Sequence, residues 1–106
     1  MELVNFTKEN LSKIHISQFE QFLDKRDLKH GKNNRCVWFG DYYTILFSSE
    51  SGLMRWHRYE SSYVNVFDWL FTFIDYDYVQ GDLTQFHVLF TQVYNEIMSY
   101  SINEKE

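Results

Sequence analysis

Apolar residues in the N-terminal quarter of the chain recur at spacings of three and four, with Leu11 and Ile14 followed by Phe19, Phe22 and Leu23. This period predicts helix from about residue 7 to residue 28. Thr7 is placed to cap its start, and Ser17 with Glu20 three residues on has the spacing of a capping box. The segment is therefore either one helix bent near Ile16 or two short ones. The basic stretch KRDLKHGKNNR leads out of it. The period then changes. RCVWF and YYTILF are rich in β-branched and aromatic residues and are separated by Gly40-Asp41, a two-residue hairpin connection; a third run, LMRWHRY, follows the turn SSESG. These runs predict a three-stranded antiparallel meander over residues 35–59. The glycines, Gly31, Gly40, Gly52 and Gly81, fall where one pattern gives way to the next.

Beyond the strands the helical period returns. With Ser62 as N-cap and about 100° per residue, Val66, Phe67, Leu70, Phe71, Phe73 and Ile74 share an apolar arc with Tyr63 and Val64. Asn65, Asp68, Trp69, Thr72, Asp75 and Tyr76 occupy the opposite side. Asp77 would project into the apolar arc, so this helix is expected over 62–76 and no further. Asp82, with Gln85 three residues later, starts a last helix over 82–100 whose apolar positions include Leu83, Phe86, Phe90, Val93, Ile97 and Tyr100. His87 sits at the edge of that arc, where a half-buried, hydrogen-bonded imidazole is expected. The prediction is an α+β fold in a single domain, residues 1–106. An N-terminal helix or helix pair precedes a three-stranded antiparallel sheet, and two C-terminal helices pack on one sheet face.

Composition supports a self-sufficient core. The 106 residues are 44% hydrophobic and 20% aromatic, with 24% charged, which excludes intrinsic disorder. The most hydrophobic stretch, YVNVFDWLFTFI, is interrupted by Asn65 and Asp68 and is shorter than the roughly 18 residues a membrane span requires. No membrane association is expected. A lone cysteine, Cys36, and a start, MELVNFTKENLSKIH, without a charged-then-apolar leader point to the reducing cytoplasm. Alanine and proline are both missing. Their codons are all GC-rich, so their absence points to an AT-rich genome such as that of a low-GC bacterium or a virus infecting one.

Charge divides the chain. Residues 1–58 hold nine Lys/Arg against seven Asp/Glu, a net of +2, whereas residues 59–106 hold one Lys against eight acids, a net of −7. Between Tyr59 and Glu104 there is no Lys or Arg. The densest acidic stretch, FIDYDYVQGD, fails as a calcium loop: starting at Asp75, the positions that need a ligand, a glycine and a closing glutamate hold Val79, Gln80 and Phe86. Asp75 and Asp77 are close in sequence, but acid–base work also needs a pocket that pushes their pKa values apart. His15, His30, His57 and His87 do not form the short-spaced pairs of a zinc site, and no phosphate-binding glycine loop is present. A nucleophilic pair of Cys36 with His57 would have to assemble in space; Cys36 at a strand start reads as a small packed residue. No metal, cofactor or catalytic residue is expected, and an uncharacterised small hydrolase is the minority reading.

Two surfaces remain. In LMRWHRY, Arg55, Trp56 and Arg58 combine charge and ring as a nucleic-acid-binding strand does, but the two arginines alternate to opposite faces of an acidic protein. The acidic half is the better candidate. Asp68, Asp75 and Asp82 recur every seven residues, the first two about 10 Å apart on a helix. Trp69 and Tyr76 flank them, so that rings would anchor and acids steer toward a basic partner. Asp77 completes this set; the same rings would also suit a homodimer. In size, acidity, element order and AT-rich character the chain resembles the small inhibitors of phages and mobile elements. These include DNA mimics, anti-restriction proteins and anti-CRISPR proteins, with which immunity proteins share the same physical logic. The likeness is one of class, with no motif behind it. It implies a non-enzymatic binding protein in the host-cell cytoplasm. That protein would occupy the basic surface of a nucleic-acid-handling host protein, without itself binding nucleic acid.

Overall fold

The computed structural model describes residues 2–33, 36–39, 43–48, 52–57 and 63–102, and the fold is α+β. The predicted N-terminal helix is two helices, α1 (Lys8–Leu11) and α2 (Ile16–Lys25). Thr7 caps α1, its hydroxyl oxygen accepting from the Asn10 N–H at 3.1 Å. The cap of α2 lies two residues before the expected one. The His15 ring Nδ1 accepts from the Ser17 N–H at 3.1 Å, and the Gln18 side-chain oxygen accepts from the His15 N–H at 3.0 Å. Ser17 is instead buried inside the first turn. A neutral imidazole carries an acceptor nitrogen with a reach similar to that of a serine hydroxyl, a substitution that the usual cap preferences overlook.

The end of α2 shapes the surface described below. The Asp27 N–H donates to the Asp24 carbonyl at 3.1 Å and the Leu28 N–H to the Leu23 carbonyl at 3.0 Å, the paired bonds of a Schellman motif. The residue at its left-handed position is Asp27, with φ 55°, where glycine is the usual occupant. Asp27→Gly is therefore expected to stabilise the domain by about 0.5–1 kcal/mol, by removing the Cβ penalty and an acid from a helix C-terminus. A chemical-denaturation midpoint that rises without a change in slope is the supporting result; an unchanged or lower midpoint counts against it.

The sheet has four strands, not three, in the order β1 (Gly31–Lys32), β2 (Cys36–Phe39), β3 (Tyr43–Ser48) and β4 (Gly52–His57), each antiparallel to its neighbour. The extra edge strand is two residues long, too short to carry an alternating pattern, and lies within the stretch read as a basic loop. Its glycine has a steric role: the Trp38 indole crosses Gly31 so closely that a Cβ there would stand 2.4 Å from the ring. Val37 and Ile45 pair across β2 and β3, and both are fully buried, as is Phe47, while Trp38 between them in alternation is 41% exposed. Gly40, Asp41 and Arg58, and the expected cap Ser62, lie outside the described residues.

Helices α3 (Tyr63–Ile74) and α4 (Leu83–Ser99) complete the chain. The core is a lattice of rings. Phe67 meets Phe6, Phe90 and Phe19 edge-on at 5.7, 5.9 and 6.3 Å, and Phe19 reaches the sheet at Phe47, 5.9 Å away. The first and last described segments are tied to this core. The Val4 N–H donates to the buried Thr91 hydroxyl at 2.9 Å, and the Gln18 side-chain amide donates to the Tyr100 carbonyl at 2.9 Å. His87, expected half-buried, is exposed.

Candidate interaction site

The stretch joining α3 to α4, residues 75–82, is short, acidic and closely bonded. Asp75 follows the last helical residue and folds back on its neighbours. Its carboxylate accepts from the Asp77 N–H at 3.0 Å, and its carbonyl accepts from the Tyr78 N–H at 3.1 Å. From the other side the Gln85 side-chain oxygen accepts from the Val79 N–H at 2.7 Å, so Gln85 braces the turn instead of completing a capping box with Asp82. Asp82 does cap α4, accepting from the Thr84 and Gln85 N–H groups at 3.0 and 3.1 Å. Gly81, at φ 91°, supplies the one backbone conformation in the turn that a side chain would resist.

Asp68 holds the turn together. From the sixth position of α3 its carboxylate accepts from the Tyr78 hydroxyl and, at 3.1 Å, from the Gly81 N–H. Tyr78 is buried to 8% exposure and its ring meets Phe71 edge-on at 5.6 Å. Burial, then the bond to Asp68 and the charges of Asp68 and Asp82, all favour the neutral phenol and raise its pKa well above the ordinary tyrosine value. Tyr100, at the far end of α4, is pushed up to about 12 by burial and by its hydrogen bond to Glu96.

Of the six residues expected on the acidic face, the structure leaves three in water. Tyr76 is 100% exposed, and Asp75 and Asp77 are exposed beside it. Asp68 and Asp82 have their carboxylates turned to the chain's own N–H and O–H groups. Trp69, expected in solvent, is half-buried and packed against the core, while Phe73, expected in the core, is 57% exposed. The two rings touch, with centroids 4.6 Å apart. Among the described side chains of α3 the buried ones are Val66, Phe67, Leu70 and Phe71, which leaves Phe73 and Trp69 together at one edge of the apolar arc. A wheel ranks side chains by polarity alone and does not show which edge of the arc the rest of the fold covers; at Phe73 more than half of the side chain is left in water.

Two clefts border this region. One, of about 250 Å³, lies between the turn and α4 and is lined by Asp75, Asp77, Thr84, Gln85 and Gln92, among others. The other, of about 290 Å³, lies between the end of α2 and α3 and is almost wholly apolar. The ion pairs lie elsewhere among the described residues, Arg26 with Glu96 at 2.5 Å and Lys32 with Glu20 at 2.7 Å, and a His30 ring nitrogen stands 3.6 Å from the Asp24 carboxylate. Glu96 is about 20 Å along α4 from Asp82. No cation is paired with Asp75 or Asp77 among the described residues.

Comparison with protein families, with curated proteins and with solved structures finds no match to this chain. Geometry and chemistry alone therefore distinguish the remaining candidates. In the basic strand, register pairs Arg55 with Leu46 and Trp56 with the buried Ile45. Cys36 pairs with Leu46 and His57 with Thr44, which places the two residues on strands separated by β3 and two positions out of step. Their backbones are about 12 Å apart on that register. Cys36 is half-buried, its thiol 3.5 Å from the Asn33 side-chain oxygen. Among the described residues no group of three His, Cys, Asp or Glu is placed to hold a metal ion, and no helix is long and apolar enough to cross a membrane.

Proposed function

We propose that this chain is a small binding protein without catalytic chemistry of its own, whose α3–α4 turn docks on a basic surface of a partner protein. Surfaces of that kind hold phosphates in proteins that handle nucleic acid. Occupying one would make this an inhibitor of the DNA-mimic sort, acting in a reducing cytoplasm. The observation that carries the reading is the combination at the turn. Asp75, Tyr76 and Asp77 stand exposed, with no cation paired to either acid among the described residues, on a loop whose backbone is held by the Asp68 and Gln85 side chains and whose end is capped by Asp82. A loop already held in one conformation loses little entropy on docking. Val79 and Leu83, 59% and 70% exposed, add apolar contact around the fully exposed tyrosine ring.

The test is a charge reversal that keeps the bonds Asp68 makes across the turn and gives up only the exposed one from the Asp77 N–H to Asp75. Asp68→Lys would remove the two bonds of that carboxylate, so Asp75→Lys with Asp77→Lys is the informative pair. In a partner captured from the native host, the double variant is expected to bind about a hundredfold more weakly at low salt, at roughly 1.4 kcal/mol for each reversed charge. Its circular dichroism spectrum should remain that of the wild type. The wild-type complex itself should weaken steeply with ionic strength. Affinity unchanged in the double variant rejects the reading.

A further inference from the structure

We infer that the groove between the α3–α4 turn and α4 takes one arginine side chain of the partner. This rests on the reading that the partner is basic, and it adds where the cation enters and which cation it is. Thr84, Val88 and Gln92, four residues apart on α4 and all exposed, form one side of the groove. The turn forms the other with Asp75 and Asp77, and the buried Tyr78 and Leu89 lie at its floor. The volume of about 250 Å³ exceeds the roughly 150 Å³ of an apolar cavity that accommodates benzene. A guanidinium group and the stem behind it therefore fit.

Charge selects the occupant. The charged residues of this lining are Asp75 and Asp77, with no Lys, Arg or His beside them in it. Neither acid meets a cation among the described residues, and their one bond to the chain's own groups there is that from the Asp77 N–H to an Asp75 oxygen. The Thr84 hydroxyl and the Gln92 side-chain oxygen add acceptors on the facing side. Arginine meets this arrangement with five N–H donors and no acceptor to satisfy, and its aliphatic stem suits the wall at Val88 and Leu89. A guanidinium is also more weakly hydrated than an ammonium, so it gives up less than lysine on entering a groove that is apolar in part. A second copy of the chain, carrying a net charge of −5 and the same acidic turn, is repelled from the site.

Three capped tripeptides serve as probes, Gly-Arg-Gly, Gly-Lys-Gly and Gly-citrulline-Gly, the last with the shape of arginine and no charge, each titrated into the isotopically labelled protein at low salt. The arginine peptide is expected to move the Thr84 and Val88 amide signals and the Gln92 side-chain amide in a saturable manner. It should bind about tenfold more tightly than the citrulline peptide and about threefold more tightly than the lysine peptide. Val88→Phe fills the groove from an exposed helical position without changing its charge, and Gln92→Phe is a second variant of the same kind. Each should weaken the arginine peptide about tenfold while the circular dichroism spectrum stays that of the wild type. Equal binding of the citrulline peptide overturns the assignment of a cation, and equal binding of the lysine peptide overturns that of arginine. The same shifts produced by calcium chloride, or by raising the protein concentration without peptide, overturn the assignment to a partner's side chain. Shifts confined to residues 75–77 that neither filled variant alters, or no shift at all, overturn the groove; the acidic docking surface then stands or falls on the captured partner's affinity for Asp75→Lys with Asp77→Lys.

Discussion

Replacing Asp68 by alanine is expected to cost the domain about 2–4 kcal/mol and to lower its thermal midpoint by roughly 10–20 °C, the largest effect of any single carboxylate among the described residues. Two donors lose their acceptor at once. The Gly81 N–H is at the surface and can turn to water, but the Tyr78 hydroxyl belongs to a ring only 8% exposed and is left largely unsatisfied. Asp75→Ala, by contrast, forfeits one exposed bond to the Asp77 N–H and should stay within about 1 kcal/mol of the wild type. A difference between these variants of less than about 1 kcal/mol in thermal melts would mean that the turn is held by something other than Asp68. Asp68→Asn provides a second readout. Burial favours the neutral phenol of Tyr78 first, and the carboxylate bond and charge add to it, so the folded-state pKa lies above the unfolded value of about 10. This contribution to stability is complete below that value and is lost as the pH rises through the folded-state pKa. Removing the charge should bring the Tyr78 titration down, visible as phenolate absorbance appearing at a lower pH than in the wild type, with burial keeping it above an exposed tyrosine.

Much of the element order could be read in advance because it depends on local chemistry. Thr7 and Asp82 cap helices through side-chain oxygens that reach only a turn away, and the expected end of α3 near Asp75 followed from the polarity of Asp77. The strand runs ending at Phe39 and starting at Tyr43 announced themselves by composition. What escaped depends on contacts across the fold. Asp68 looked like a solvated member of a seven-residue acidic series; its role comes from Tyr78 and Gly81, ten and thirteen residues on, which a wheel does not connect to it. The exchange of Trp69 and Phe73 depends on which edge of α3 the rest of the fold covers, and no local pattern records that. Half of the expected docking face, Asp75, Tyr76 and Asp77, is exposed, because these residues follow the helix in a short turn at the surface.

Phe67→Ala is expected to destabilise the domain by about 3–5 kcal/mol, against less than about 1 kcal/mol for Phe73→Ala on the same helix. Phe67 has no solvent exposure, and its ring is the meeting point of the N-terminal segment at Phe6, α2 at Phe19, its own helix at Phe71 and α4 at Phe90. Truncation leaves a cavity that rings fixed from four directions cannot readily collapse into, and three of the contacts are edge-to-face pairs. Against a total stability of about 5–15 kcal/mol for a domain of this size, the loss is a third or more at the midpoint of both ranges. Urea denaturation with an unchanged slope would assign the difference to the native packing. The comparison also tests the site. If Phe67→Ala and Phe73→Ala cost the same, Phe73 is a core residue and not part of the exposed surface. If they differ by the expected margin, Phe73 can be altered without disturbing the fold, which is the condition for reading any change in partner affinity as a change in the surface itself.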